Sequence, residues 1–557
     1  MAGAGVAHEV SGVDKRLVCT LREVDLTGPV TFLADPDVLV YRDGAGGLRA
    51  TRNRCRHKGG RFGKGGGCVL TCANHGWRLD LSRMEYVNPV GGIAQEELLV
   101  ERGPDGTWSL FDVLPPLPWA TDPRPSQPLA PGELTVRFYA HACVEITCGA
   151  KRLFTDPWLV GPAFVRGWWL AQEPPADWLD RLSTADAIYI SHNHSDHLNL
   201  HTLRRLAARN PAIPVYVPRF ERDYCGARLA RAGLVDVRPT PFGVWVPLDA
   251  DTRLMILPDA ARGGDSGLLV DYKGHRLLDN VDCSNIVGGA APEPVDVLLT
   301  VFGGGATGYP VCWGELYPEE RIHQLVLQRR RAVSQNVVRL ATLTKARTVV
   351  LFASYFTEAH PADAEIRRLN GKNSPAEVEE VLRQRCPTAT VWAPAPGATF
   401  DVASHSGRAP ALPTGEPPRD FDAYLAELAD DAGFPPLQTL AGIARYFQWA
   451  GFRSPDLVLH VLETDEDFAR VEREFYVDFA DLSFPPARPP RPHRYLRMKV
   501  RAPVFRHVLR HGASWEEISI GFQARLYREP DVYNFDFWDH FQNRLPVAPP
   551  DWSRGAR

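Results

Sequence analysis

Ala187-Ile-Tyr-Ile-Ser-His192-Asn-His194-Ser-Asp196-His197 decides the fold of this 557-residue chain. A short apolar run of the kind that forms a buried strand passes directly into three histidines and an aspartate. An α/β fold delivers its ligands in this position, at the carboxyl end of a strand and in the loop that leads to a helix. Leu200 to Asn210 supply that helix. The spacing lets His192 and His194 serve one metal ion while Asp196 and His197 serve a second.

Working outward, further buried-strand runs occur at Pro214-Val-Tyr-Val217, Leu254-Met-Ile-Leu257, Val297-Leu-Leu-Thr-Val301 and Val349-Val-Leu-Phe352. They alternate with helical segments, of which the arginine-studded run from Glu319 to Ala346 is the longest, so residues 132–402 read as one α/β unit. Two proline-rich stretches bound it, 114–131 and 404–418. Proline fixes φ and removes a backbone donor, so both read as linkers outside any sheet or helix. Residues 1–115 carry short alternating runs such as Val38-Leu-Val-Tyr41 between glycine-rich turns, an all-β pattern. Residues 419–557 show helical segments such as Phe421-Asp-Ala-Tyr-Leu-Ala and Val504-Phe-Arg-His-Val-Leu-Arg-His, and read as a mixed, mainly helical accessory region.

Composition narrows the function classes. With 63 basic and 67 acidic residues the formal charge is -4, which gives no global field for nucleic acid or anionic membrane, and neither is expected as a partner. No stretch approaches the ~20 apolar residues of a membrane span, and Met1 to Val10 lacks the features of a secretory signal. Ten cysteines scattered through a chain of this size do not resemble a secreted disulfide framework. A cytoplasmic location is therefore expected. Abundant arginine, alanine and proline suggest a GC-rich bacterial genome.

Two of those cysteines belong to a second ligand set, Cys55-Arg-His57 and Cys72-Ala-Asn-His75, with fourteen residues (58–71) between the pairs. In a Rieske [2Fe-2S] centre one iron is held by two thiolates and the other by two imidazoles. Two loops that each supply one Cys and one His meet that requirement, and the continuations His57-Lys-Gly-Gly and His75-Gly-Trp resemble Rieske cluster loops. A Cys₂His₂ zinc site is the alternative, but Cys-x-His is a poor chelate for one tetrahedral ion.

The His-x-His-x-Asp-His pattern, with the upstream segment Thr135 to Trp158, resembles the metallo-β-lactamase superfamily, which implies a central αββα sandwich. The resemblance also implies a metal-bridging or second-site carboxylate at Asp282, while Asp265, in Gly-Gly-Asp-Ser-Gly, reads as a ligand or as a turn-forming or helix-capping aspartate. The superfamily's last histidine normally follows a late strand, and Val349-Val-Leu-Phe-Ala-Ser-Tyr-Phe has none. His360 is the nearest substitute, while His141 reads equally as an outer partner of the ligands or as a packed side chain. Few histidines and many carboxylate oxygens favour non-haem iron, one ion or two, over zinc.

A Rieske domain followed by a metallo-β-lactamase-like domain resembles the cytidine monophosphate-N-acetylneuraminate hydroxylase family. Gly161-Pro-Ala-Phe-Val-Arg-Gly-Trp-Trp-Leu, Glu173-Pro-Pro-Ala-Asp-Trp-Leu and Gly303-Gly-Gly-Ala-Thr-Gly-Tyr-Pro carry the resemblance further. It implies an iron-dependent monooxygenase that takes O2 and electrons from a reduced ferredoxin or cytochrome-type donor to hydroxylate a small molecule of the nucleotide-linked sugar class. Catalysis then centres on His192, His194, Asp196 and His197. Arg166 suits a phosphate and Trp168 and Trp169 a base or sugar, although a Trp-Trp pair also suits a core. Rieske oxygenases as a class add the expectation of a homo-oligomer. The alternatives are an N-oxygenase or C-hydroxylase of a bacterial secondary metabolite, a di-zinc hydrolase with a regulatory Rieske domain, and a non-enzymatic electron-transfer protein.

Overall fold

A computed structural model describes residues 15–34, 37–56, 60–63, 67–72, 77–88, 93–113, 118–259, 264–283, 286, 291–409, 417 and 419–553. Two mixed sheets face one another at its centre. One runs in the order Val237–Thr240, Val215–Pro218, Ala187–Tyr189, Lys151–Thr155, Cys143–Cys148, Leu134–Ala140, Thr399–Asp401, Ser406–Arg408. The other runs Val246–Pro247, Thr252–Pro258, Ser266–Tyr272, His275–Asp279, Val297–Val301, Thr348–Phe352, Thr390–Trp392.

Strands buried on both faces read as unbroken apolar runs, and Thr348–Phe352 and Ser266–Tyr272 are buried at every position. Between the sheets lie Val136, Phe138, Ile146, Ile256, Leu268 and Val350. Helices cover both outer faces, as expected of an αββα sandwich. Helix Glu319–Thr344 turns Val337, Leu340 and Ala341 onto the second sheet, and helix Leu200–Arg209 turns Leu203 and Leu206 onto the first. Asn199 caps the latter, its side chain accepting from Thr202 N at 3.0 Å.

Ahead of the sandwich stand three small antiparallel sheets of three strands each, all between Lys15 and Val113. Behind it, the C-terminal region is built from helices around a four-stranded sheet, Val471–Asp478, Leu457–Thr464, Arg494–Arg501, Ala524–Glu529. Of this mixed region, only the helices are legible in the sequence. One linker expectation is corrected: Ser406–Arg408 is a strand paired with Thr399–Asp401. Proline first appears after it, at Pro410, so every residue of that strand keeps its backbone donor.

The C-terminal region is joined to the sandwich by buried charge. Asp363, fully buried, accepts from Arg501 Nη1 at 3.1 Å and Nη2 at 2.9 Å and from Arg525 at 3.0 Å. Removing the carboxylate leaves two guanidinium groups without it, and Arg501 is 1% exposed. Asp363→Ala is therefore expected to destabilise the protein by about 3–5 kcal/mol, read as a shift of the urea midpoint. A shift worth about 1 kcal/mol or less would show that the pair does not join the two regions.

Candidate metal centre

The ligand loop leaves the buried strand Ala187–Tyr189 and closes as a tight turn, with Leu198 N donating to His194 O at 2.7 Å. Its orientation is set by Asp156, at the end of strand Lys151–Thr155 and fully buried. Asp156 Oδ1 accepts from Ser191 N at 2.7 Å, and Oδ2 accepts from Ser191 Oγ at 2.7 Å. His197 Nδ1 lies 2.9 Å from the same Oδ2, and His192 Nδ1 lies 2.9 Å from Ser191 Oγ. Both Nδ1 atoms therefore carry the proton, and the Nε2 lone pairs of His192 and His197 point inward. Outer partners that fix a histidine tautomer in this way are characteristic of metal ligands.

Inside that shell the side chains converge. His192 Nε2 is 2.8 Å from His194 Nδ1, 3.9 Å from Asp265 and 4.0 Å from Asp282. His197 Nε2 is 3.3 Å from Asp196 and 3.6 Å from Asp282. His141 Nε2 lies 3.2 Å from Asp196 Oδ2. Two ligand triplets result, His192/His194/Asp282 and His141/Asp196/His197, each with its donor atoms within 4.8 Å of one another. Asp282 touches both groups, as a bridging carboxylate would.

Electrostatics call for a cation here. Burial opposes ionisation of Asp196, yet the His197 and His141 imidazoles hold its carboxyl well below the usual range. Burial likewise opposes charge on His197, and Asp196 and Asp156 override it. His194 is pulled down by burial but held up at about 9 by Glu516 and the nearby aspartates. The buried Asp196 Oδ1 and His197 Nε2 lack hydrogen-bond partners among the described residues. Orphaned donor atoms among nitrogen and carboxylate ligands fit iron, whose chemistry needs such ligands with positions left for oxygen and substrate.

His192, His194, Asp196, His197, Asp265 and Asp282 are thus brought together. His360 is not: its Nδ1 accepts from Ala362 N at 3.2 Å and its Nε2 lies 3.4 Å from Glu466. His141 joins the cluster with Asp196 and His197. It sits in the turn between Leu134–Ala140 and Cys143–Cys148, and its carbonyl accepts from Ala353 N at 2.7 Å. Ala353 is the first residue after strand Thr348–Phe352, where the sequence lacks the expected histidine. Arg166 is 4% exposed and donates to Glu466 at 2.6 Å. Trp168 stacks on Phe356 at 3.6 Å with its indole near His141, while Trp169 packs on Phe421 and Tyr424. The sequence motifs assign no role to Asp156 or Glu516. The first lies within the upstream segment Thr135 to Trp158, but the second has no local signal.

In the N-terminal region, Cys55 and Cys72 are each 1% exposed. Cys55 N donates to Gly60 O at 2.6 Å and Cys72 N to Trp77 O at 2.7 Å, closing two short loops. His57 and His75 lie outside the described residues. The Tyr86 hydroxyl is 3.6 Å from Cys55 Sγ and 2.6 Å from Gln95 Oε1. Two buried thiols on adjacent loops with a phenol against one sulfur fit a cluster site. Residues that flank the two pairs contact the rest of the chain: Trp77 meets Phe535 edge-on at 4.6 Å, and Arg54 reaches Asn336 at 3.4 Å.

Comparison with known proteins identifies the domains in which most of these residues lie. Residues 14–89 match the family model of the Rieske [2Fe-2S] domain, and residues 151–270 match that of a beta-lactamase superfamily domain. The cytidine monophosphate-N-acetylneuraminic acid hydroxylase of Cricetulus griseus is 42% identical over 532 residues, covering 90% of this chain and 92% of the relative. The chain belongs to that hydroxylase family. The Danio rerio member is 41% identical over 527 residues, covering 91% and 89%. Among solved structures, the diiron beta-hydroxylase CmlA of Streptomyces venezuelae is 17% identical with a TM-score of 0.31, covering 47% of this chain and 53% of that one. As a member of the hydroxylase family the protein is an iron-dependent monooxygenase with a Rieske [2Fe-2S] cluster and non-haem iron. It works with an electron donor and a small-molecule substrate.

Two variants test the geometry. His141→Ala removes one arm of the second triplet and is expected to lower the iron content by about one ion per chain while the Rieske resonance persists. Unchanged iron would make His141 a packed side chain. Tyr86→Phe removes a hydroxyl dipole from Cys55 Sγ and is expected to lower the cluster's reduction potential, followed by redox titration with electron paramagnetic resonance. An unchanged potential would show that Tyr86 serves Gln95 alone.

Proposed function

We propose that this protein hydroxylates cytidine monophosphate-N-acetylneuraminate, converting the N-acetyl group to N-glycolyl. The observation that carries the reading is identity of 42% across nine-tenths of the chain, combined with a central site whose described ligands are histidine and aspartate alone. The overall balance is one substrate C–H bond, one O2, two electrons and two protons, giving one C–OH bond and one water. Bound at the two sites, the cluster supplies electrons singly and the iron supplies oxygen activation.

The chain's own residues hold and shape that chemistry. Asp156 and Ser191 fix the imidazoles, and Asp282 stands between the two triplets. We assign His192, His194, Asp196 and His197 as the catalytic ligand set, with His57 and His75 completing the cluster ligands. The Trp168–Phe356 stack lies against His141 and forms an apolar wall that keeps water from that side. Arg166 is committed to Glu466, so recognition of a phosphate there requires exchange of one anion for another.

The donor is assigned to a ferredoxin or cytochrome-type carrier, since the cluster takes one electron at a time, and self-association follows the wider habit of Rieske oxygenases. The domains are taken as 1–115, 132–402 with the strand Ser406–Arg408 added to its sheet, and 419–557. No helix among the described residues is long and apolar enough to cross a membrane. Free thiols at Cys19, Cys143, Cys148, Cys225, Cys312 and Cys386 suit a reducing compartment, and we place the protein in the cytoplasm.

The test is incubation of the iron-loaded holoprotein with the nucleotide sugar, O2 and a reduced carrier, followed by mass spectrometry. Gain of one oxygen atom on the acyl group, labelled by ¹⁸O2 and abolished in Cys55→Ser, is the expected outcome. Oxygen incorporated from water, or release of cytidine monophosphate without oxygenation, would identify a hydrolase.

A further inference from the structure

The C-terminal region had no assigned role, yet it reaches the metal centre. His194 Nδ1 faces His192 Nε2 at 2.8 Å, on the side where the ligand atoms meet, and its other nitrogen, Nε2, lies 2.6 Å from Glu516 Oε2. An imidazole cannot present Nδ1 to a metal ion unless the proton resides on Nε2, where it must be accepted. For His192 and His197 the outer acceptors are Ser191 and Asp156, both in the sandwich. For His194 the acceptor comes from 322 residues away.

We propose that Glu516 is a positioning residue of the iron centre, accepting the Nε2 proton of His194 and so turning Nδ1 toward the ion held with His192 and Asp282. The inference rests on the iron centre and is independent of the identity of the substrate.

Glu516 is held in place for this role. Ser514 Oγ donates to its carboxylate at 3.3 Å and accepts from its backbone N at 3.2 Å. Next to it Glu517 accepts from Ser195 Oγ at 3.1 Å and pairs with Arg228 at 3.4 Å, so the residue that follows His194 in the ligand loop is tied to the same short segment. Residues 519–523 are fastened to the sandwich as well. Gln523 Nε2 donates to Phe164 O at 3.1 Å and Val165 O at 2.7 Å, Trp168 Nε1 donates to Ile520 O at 3.1 Å, and Gly308 N donates to Ser519 O at 3.1 Å. At Gly167 the two backbones meet so closely that a Cβ would stand 2.0 Å from Gly521 O. A segment that merely covered the sandwich would not need its acid aligned to a ligand's outer nitrogen.

The test uses cobalt(II) as the probe, added to the metal-free central site of the full chain with its cluster intact, in competition with a chromophoric chelator. Glu516→Gln keeps the size of the side chain and removes the carboxylate. Loss of such an outer partner lowers metal affinity by roughly 10–100-fold, and the cobalt d–d spectrum is expected to change with it. Glu517→Gln, which loosens the same segment without touching His194, is expected to leave affinity and spectrum near those of the parent, with equal melting temperatures for both variants. Parental affinity and spectrum in Glu516→Gln would overturn the proposal, as would equal losses in the two variants. Should His194→Ala also bind cobalt as the parent does, the ligand assignment itself would fail, and Glu516 with it.

Discussion

Burial of Asp156 constrains everything around the centre. A carboxylate removed from water is costly unless its oxygens are occupied, and here they are taken by the Ser191 amide, the Ser191 hydroxyl and the His197 ring. Satisfying that one group fixes two of the three loop imidazoles. The backbone bends to allow it: Asp156, His141, Val281 and Ala353 all have positive φ, at 36°, 44°, 33° and 55°. Such conformations cost of order 1–3 kcal/mol each for residues other than glycine. All four lie at strand ends or turns around the ligands, so the surrounding sheets hold strained backbone where ligands must converge.

Much of this was legible because the information was local. His192 to His197 are six consecutive residues following a strand, and the apolar-then-polar change is visible without a structure. Asp282 could be found because it follows His275–Asp279 closely. The missing late histidine was also legible, but the part taken by His141 was not: it lies in a turn between two strands far from the ligand loop in sequence, and only the folded chain sets it beside Asp196. His360 looked suitable by sequence distance and is engaged by Glu466 instead. Trp168 and Trp169 show the same limit, since a buried indole and a ligand-facing one share a sequence signature.

The C-terminal sheet escaped the sequence reading for a related reason. Its strand Leu457–Thr464 is buried at most positions and carries His460, Glu463 and Thr464 inside. Buried polar residues of this kind blur the periodicity that identifies a strand. Their partners are distant, Glu463 with Arg473 and Arg506 and His460 with Tyr495. Polar groups inside a core require a unique arrangement to be satisfied, and that arrangement also brings the turn at Ser514 to the sandwich.

One stretch of the tail, from Glu516 to Phe535, touches both sites. Glu516 meets His194 at one end, and at the other Phe535 packs against Trp77 beside the Cys72 loop. A shortened homologue ending near residue 510 would still display every cysteine, histidine and aspartate of the two motifs. It would nevertheless have lost the aromatic contact beneath the cluster loop and the acceptor behind a metal-binding imidazole together. The motifs alone therefore do not carry the two contacts that the residues after 510 make with both sites.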